Sequence, residues 1–214
     1  EGRVVLQVTA VGSETVLSYS ETTPAGNFIE AYAGKGFNAH SSTEYEHAVN
    51  LAQTKLVDQL QKRSVSRIYE CICIGVITSG ATIDAPIGRS SANRQRMAVI
   101  DGGKPAVTHY RVLERFRSHT HVRVKLETGR THQIRVHMSH IGYPLVGDPV
   151  YGGRFRIPPA ANPSMVQALK EFPRQALHAR FLELDHPITG ARMKWQSPLP
   201  DDFVWLLTLL RQDA

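Results

Sequence analysis

Residues 126–140, LETGRTHQIRVHMSH, gather two arginines, three histidines and a Thr-Gly pair. The stretch before them, THVRVKLETG, alternates, with Val122, Val124 and Leu126 on one face and Arg123 and Lys125 on the other. A half-buried strand therefore delivers the chain to a turn at Thr128-Gly129. Beyond it, Thr131 is placed to cap a helix with Ile134, Met138 and Ile141 on one side, stopped by Gly142 with Pro144 following. Arg130 thus falls where a strand ends and a helix begins. A guanidinium and free helix amides would converge there, which suits an anion or a carbonyl oxygen. His132 and Arg135 share the polar face of that helix. In the plainer alternative, Arg130 pairs with a nearby carboxylate and the histidines are solvated.

Other candidates are weaker. Asp148 could be a catalytic carboxylate, but its neighbours Gly147 and Pro149 favour a turn in which the side chain accepts from its own backbone. His137 with His140, or His119 with His121, could be read as metal ligands of a hydrolase, yet no acidic residue accompanies either pair at a useful spacing. No metal site is expected. Cys71 and Cys73, in YECICIGV, read as small hydrophobes of a buried strand.

The elements that must position these residues follow from periodicity. VVLQVTAV at 4–11 reads as a strand, TPAGN at 23–27 as a turn and GKGFNAHSS at 34–42 as a loop. From residue 42 to 63, Ala48, Leu51, Ala52, Leu56 and Leu60 recur at helical spacing, with Ser42 or Thr43 as cap and Lys62 and Arg63 at the end that the helix dipole favours. SRIYECICIGVI is a buried strand. Short strands and an arginine-bearing loop follow to residue 116, then a short helix from Pro163, a strand in GARMKWQSPLP and a last helix, DDFVWLLTLLRQ.

The 214 residues suffice for one compact domain with a proper core. No apolar run is long enough to span a bilayer, and the first residues lack the pattern of a secretory signal, so no membrane partner and a cytoplasmic location are expected. Net charge is +6, concentrated in the middle: residues 62–135 hold 14 Lys and Arg against 5 Asp and Glu. Such a field suits a polyphosphate backbone, although a solvated basic face would look the same.

Several blocks together closely resemble the ribosomal large subunit pseudouridine synthases, particularly the synthase D group. They are RIYE (67–70), GKPAVTHYRVLERF (103–116), LETGRTHQIRVHMSHIGYPLVGDPVYGG (126–153), RQALHA (174–179) and HPITG with SPLP near the end. The resemblance runs from about residue 51 to the C-terminus. It implies an α+β fold with a mixed, mainly antiparallel central sheet and flanking helices, in one domain over residues 51–214, preceded by an atypical segment, 1–50. It also implies a monomer that isomerises uridine to pseudouridine in large-subunit ribosomal RNA without a cofactor, as part of ribosome biogenesis. In that chemistry an aspartate starts cleavage of the glycosidic bond, the freed uracil turns in its pocket and carbon 5 is joined to the ribose. The base must leave its stack to be reached.

By position, Tyr69 matches the tyrosine that packs on the base, Arg130 the arginine that pairs with the aspartate, and Ile134 an apolar wall of the base pocket. Arg89, Arg94, Arg96, Lys104, His109, His132 and Arg135 fall in segments expected to touch RNA. The family's aspartate belongs before the helix at 51–62, in a His-Arg-Leu-Asp motif. Here that stretch reads GFNAHSSTEYEHAVN, and the first aspartate of the chain is Asp58. Glu44 and Glu46 are poor substitutes, since a longer side chain misplaces its oxygen. The resemblance therefore also implies an alternative: an RNA-binding relative that does not turn over.

Overall fold

The computed structural model describes residues 3–11, 14–22, 28–33, 42–154, 157–158 and 161–213. They divide into two units, residues 1–62 with 185–192 and residues 63–184 with 193–214.

In the first unit, β1 (Arg3–Val11), β2 (Glu14–Thr22) and β3 (Phe28–Ala33) form an antiparallel meander in the order β1-β2-β3. The turn expected at 23–27, most of the loop expected at 34–42, and the side chains of Ser42, Thr43, Glu44 and Glu46 lie outside the described residues. Helix α1 (Ser42–Gln61) occupies the segment whose apolar spacing predicts it. Near its end, Gln59 both donates to the carbonyl of Asp185 and accepts from that residue's amide.

The second unit is built on a six-stranded sheet of order β11-β10-β4-β9-β8-β5. Its strands are β4 (Ser66–Ile74), β5 (Ala81–Asp84), β8 (Val107–Arg115), β9 (His119–Leu126), β10 (Leu177–Asp185) and β11 (Arg192–Gln196). The four pairings β10-β4, β4-β9, β9-β8 and β8-β5 are antiparallel. A small hairpin, β6 (Ile87–Arg89) with β7 (Met97–Val99), carries the arginine-bearing loop.

The pleat sends alternate residues to opposite faces. On one face Cys71, Cys73, Val122, Val124 and Leu126 form a buried cluster with Ile134 and Met138 of α2 (Gln133–His140). Both cysteines are fully buried, as expected of small hydrophobes. On the other face Ile72 and Phe116 pack with α3 (Pro163–Glu171) and α4 (Asp201–Gln212) through Met165, Leu169, Phe203 and Leu206. Asn162 caps α3 by accepting from the Met165 amide at 2.8 Å. Among the described residues no helix is long and apolar enough to cross a membrane.

The second face also buries charge. Glu70 accepts from Arg123 at 2.7 Å and meets His121 Nε2 at 3.0 Å, and the His121 ring stands edge-on to Phe203. Neighbouring His119 is buried, and burial, opposed by the charge of Asp213, lowers its pKa from 6.5 to about 4. The unfolded chain binds a proton at His119 from pH 6.5 downward and the folded chain only near 4, so stability falls through that window and is flat below it. A difference of that size is on the order of 3 kcal/mol. Thermal melts from pH 7 to pH 4 should show this loss, with His119 remaining neutral by NMR until the lower end; titration near 6.5 in the folded state would contradict the assignment.

Candidate functional site

The turn expected at Thr128-Gly129 is held by one buried amide. Gln133 Nε2 donates to the Val107 carbonyl at 3.0 Å and to Thr108 Oγ1 at 2.9 Å, while its Oε1 accepts from Thr128 Oγ1 at 2.7 Å and from the Arg130 amide at 2.9 Å. Thr128 Oγ1 in turn accepts from the Val107 amide at 2.9 Å. Because the Ala85 carbonyl can only accept, His137 Nε2 donates to it, and in the neutral ring Nδ1 accepts from the Thr108 hydroxyl, both at 2.9 Å. Both nitrogens of His137 are thereby committed within the fold.

Helix α2 does not start as the sequence suggests. Its N-cap is His132 in the left-handed region at φ 56°, with no side-chain cap, and Thr131 does not cap it. Gln133, the first helical residue, instead sends its side chain back to the Arg130 amide in the preceding turn, with the three-residue spacing of a capping box's return bond. The stop at Gly142 is as expected. Gly142 has φ 86° and donates to Ser139, while Tyr143 donates to Met138, the paired bonds of a Schellman motif.

Tyr151 ties the arginine hairpin to this helix. Its hydroxyl accepts from the Met97 amide at 3.0 Å, so its proton is free for His132 Nδ1, also at 3.0 Å. Burial, then the charge of Arg135, lowers the His132 pKa against the pull of Asp148. Arg135 makes a two-pronged pair with Asp148, at 2.8 and 2.7 Å, and lies 4.9 Å from the Tyr151 ring centre, with Arg96 at 5.7 Å. Asp148 Oδ1 also accepts from the Val150 and Tyr151 amides at 2.9 Å, so the turn reading of Asp148 holds. Burial alone would raise its pKa, but Arg135 and the two amides bring it below the ordinary value.

A family described as RNA pseudouridylate synthase matches residues 50–140. Ribosomal large subunit pseudouridine synthase D of Pseudomonas aeruginosa is 82% identical over 162 residues, covering 76% of this chain and 51% of the relative. Over residues 50–140 the chain matches the RNA pseudouridylate synthase family. The synthase D of Escherichia coli K12 is 56% identical over 162 residues, with 76% and 50% covered. The chain thus spans about half the length of the curated relatives it matches. Among solved structures, Human RNA Pseudouridylate Synthase Domain Containing 4 aligns with a TM-score of 0.57 at 26% identity, covering 74% of this chain and 67% of that one. A second human structure, Domain Containing 1, shares the fold with a TM-score of 0.55 at 21% identity, covering 92% and 84%.

On this scaffold the ten residues singled out from the sequence fall into four places. Tyr69 and Ile134 lie with the first-face cluster, Tyr69 half-buried and Ile134 buried. Burial raises the Tyr69 pKa, with Arg67 opposing, so the phenol keeps its proton at neutral pH. Arg130 stands at the turn; its Nε donates to the Pro105 carbonyl at 2.9 Å, and it makes no ion pair with any described residue. Arg96, His132 and Arg135 converge on Tyr151, while Arg89, Arg94 and Lys104 are exposed, the two arginines on the hairpin and Lys104 in an isolated bridge to its Ile87. His109 stands apart on the opposite sheet face, between Thr82 Oγ1 at 2.7 Å and Glu127 at 2.6 Å.

Sequence reasoning missed Gln133, Thr128, Thr108 and Tyr151 as positioning residues. A Gln three residues after Arg130 was a readable signal, because that spacing lets a side chain return to the amide. The partnership of Tyr151 with residues 97 and 132 had no local signature. Tyr151→Phe should keep the ring stacking but strand the Met97 amide and His132, costing about 1–3 kcal/mol. Trypsin should then cut faster at Arg94 and Arg96; unchanged cleavage and melting would show that the hydroxyl does not fasten the hairpin.

Proposed function

We propose that residues 51–214 form a pseudouridine synthase-type domain that takes up a uridine of large-subunit ribosomal RNA, working as a cytoplasmic monomer. The observation that carries this reading is the 82% identity to a synthase D over 162 residues, together with the family match over residues 50–140, which hold the Gly129 turn and the arginine hairpin. The geometry supports it. Tyr69 offers a neutral aromatic face, Ile134 an apolar wall and Arg130 a guanidinium at the rim, while Arg89, Arg94, Arg96 and Lys104 line an approach for phosphates. In the same reading Arg130 pairs with an aspartate and holds it ionised.

One observation favours a second reading, RNA binding without turnover. No aspartate precedes Asp58, although the attacking carboxylate belongs to that stretch by resemblance. The two are separated by incubating the chain with large-subunit rRNA fragments, mapping pseudouridine by chemical adducts, and measuring binding at two salt concentrations. Pseudouridine that disappears in Arg130→Ala supports the synthase. Salt-sensitive binding without product supports the second reading, and absence of both removes the RNA assignment.

A further inference from the structure

Arg67 lies two residues before Tyr69 on β4, so both side chains leave the same face of the sheet. Its guanidinium rests against the backbone of Gly129. A Cβ built on that glycine would stand 2.4 Å from Arg67 Nη1. The close approach depends on the glycine, and it sets Arg67 on the same turn that carries Arg130.

Arg67 is poorly satisfied there. Its Nε is shut off from solvent and has no hydrogen-bond partner, and the residue forms no ion pair among the described residues. Part-buried Arg123, Arg135 and Arg174 are matched by Glu70, Asp148 and Asp202, whereas Arg130, at the same turn as Arg67, has only the Pro105 carbonyl. An arginine always carries its charge, and leaving such a group half-buried without a partner is costly. The missing partner must bring oxygen acceptors to a spot bounded by Tyr69, Gly129 and Arg130. A phosphodiester does so, and a guanidinium fork binds it through two parallel bonds.

We propose that Arg67 holds a backbone phosphate of the bound RNA beside the Gly129 turn, positioning the nucleotide whose base meets Tyr69. This rests on the RNA-binding reading above. It makes Arg67 a phosphate-binding residue and gives Gly129 a second role besides turning the chain.

The test measures affinity of the intact chain for a large-subunit rRNA fragment across a salt series, for wild type, Arg67→Gln and Arg67→Lys, each checked for folding by thermal melt. Removing one phosphate contact should weaken binding several-fold and flatten the plot of log affinity against log salt by about 0.7–0.9. Arg67→Lys, which keeps the charge but loses the fork, should retain the wild-type slope and still bind several-fold more weakly. If Arg67→Gln is folded and has the wild-type slope, the proposal is overturned; should Arg67→Gln not fold, Arg67→Lys with full affinity overturns it equally. Failure of the wild type itself to bind would bring down the RNA reading and this proposal together.

Discussion

One primary amide, that of Gln133, holds the site together. Its four hydrogen bonds use every donor proton and both lone-pair directions of its oxygen, joining β8, the end of β9 and the start of α2 in one buried network. The network continues through Thr108 to His137 and ends on Ala85, so bond directions are fixed along its whole length. A partly satisfied network in such a place would be worse than an apolar one, which leaves little tolerance for any other side chain at 133. Because Oε1 receives the Arg130 amide, the backbone that carries Arg130 is set by the sheet behind it.

The two faces of the sheet divide the work. The face of Tyr69, Val124 and Ile134 leads to the Gly129 turn and, through α2 and Tyr151, to the arginine hairpin. The opposite face anchors α3 and α4 and buries Glu70 against Arg123 and His121, where removing one partner would strand the others. Arg135 shows how far a basic residue's surroundings decide its role. Clamped by Asp148 and stacked on Tyr151, it is committed within the fold, while Arg94 and Lys104 remain exposed to solvent.

The strand through Val122, Val124 and Leu126, the helix stop at Gly142 and the turn role of Asp148 were legible because each rests on a local rule: alternation, a left-handed glycine, a carboxylate that accepts from its own backbone. The antiparallel sheet and the family were legible through long ordered blocks. What could not be read was long-range. Nothing near Thr131 says that the helix starts one residue later, from a left-handed His132, and nothing near Arg67 says that a glycine 62 positions later leaves room for its guanidinium. His109 looked like a neighbour of the basic segments, but strand parity turns it to the other face.

The central claim is that the Gln133 amide fixes the turn carrying Arg130. Hydrogen exchange at the Arg130 amide, followed residue by residue by NMR, tests it most directly. That amide sits in an otherwise exposed turn, and its only acceptor in the described structure is Gln133 Oε1. The account predicts exchange far slower than at Gly129 and Thr131, released to loop rates in Gln133→Ala. Exchange at loop rates in the wild type would contradict it.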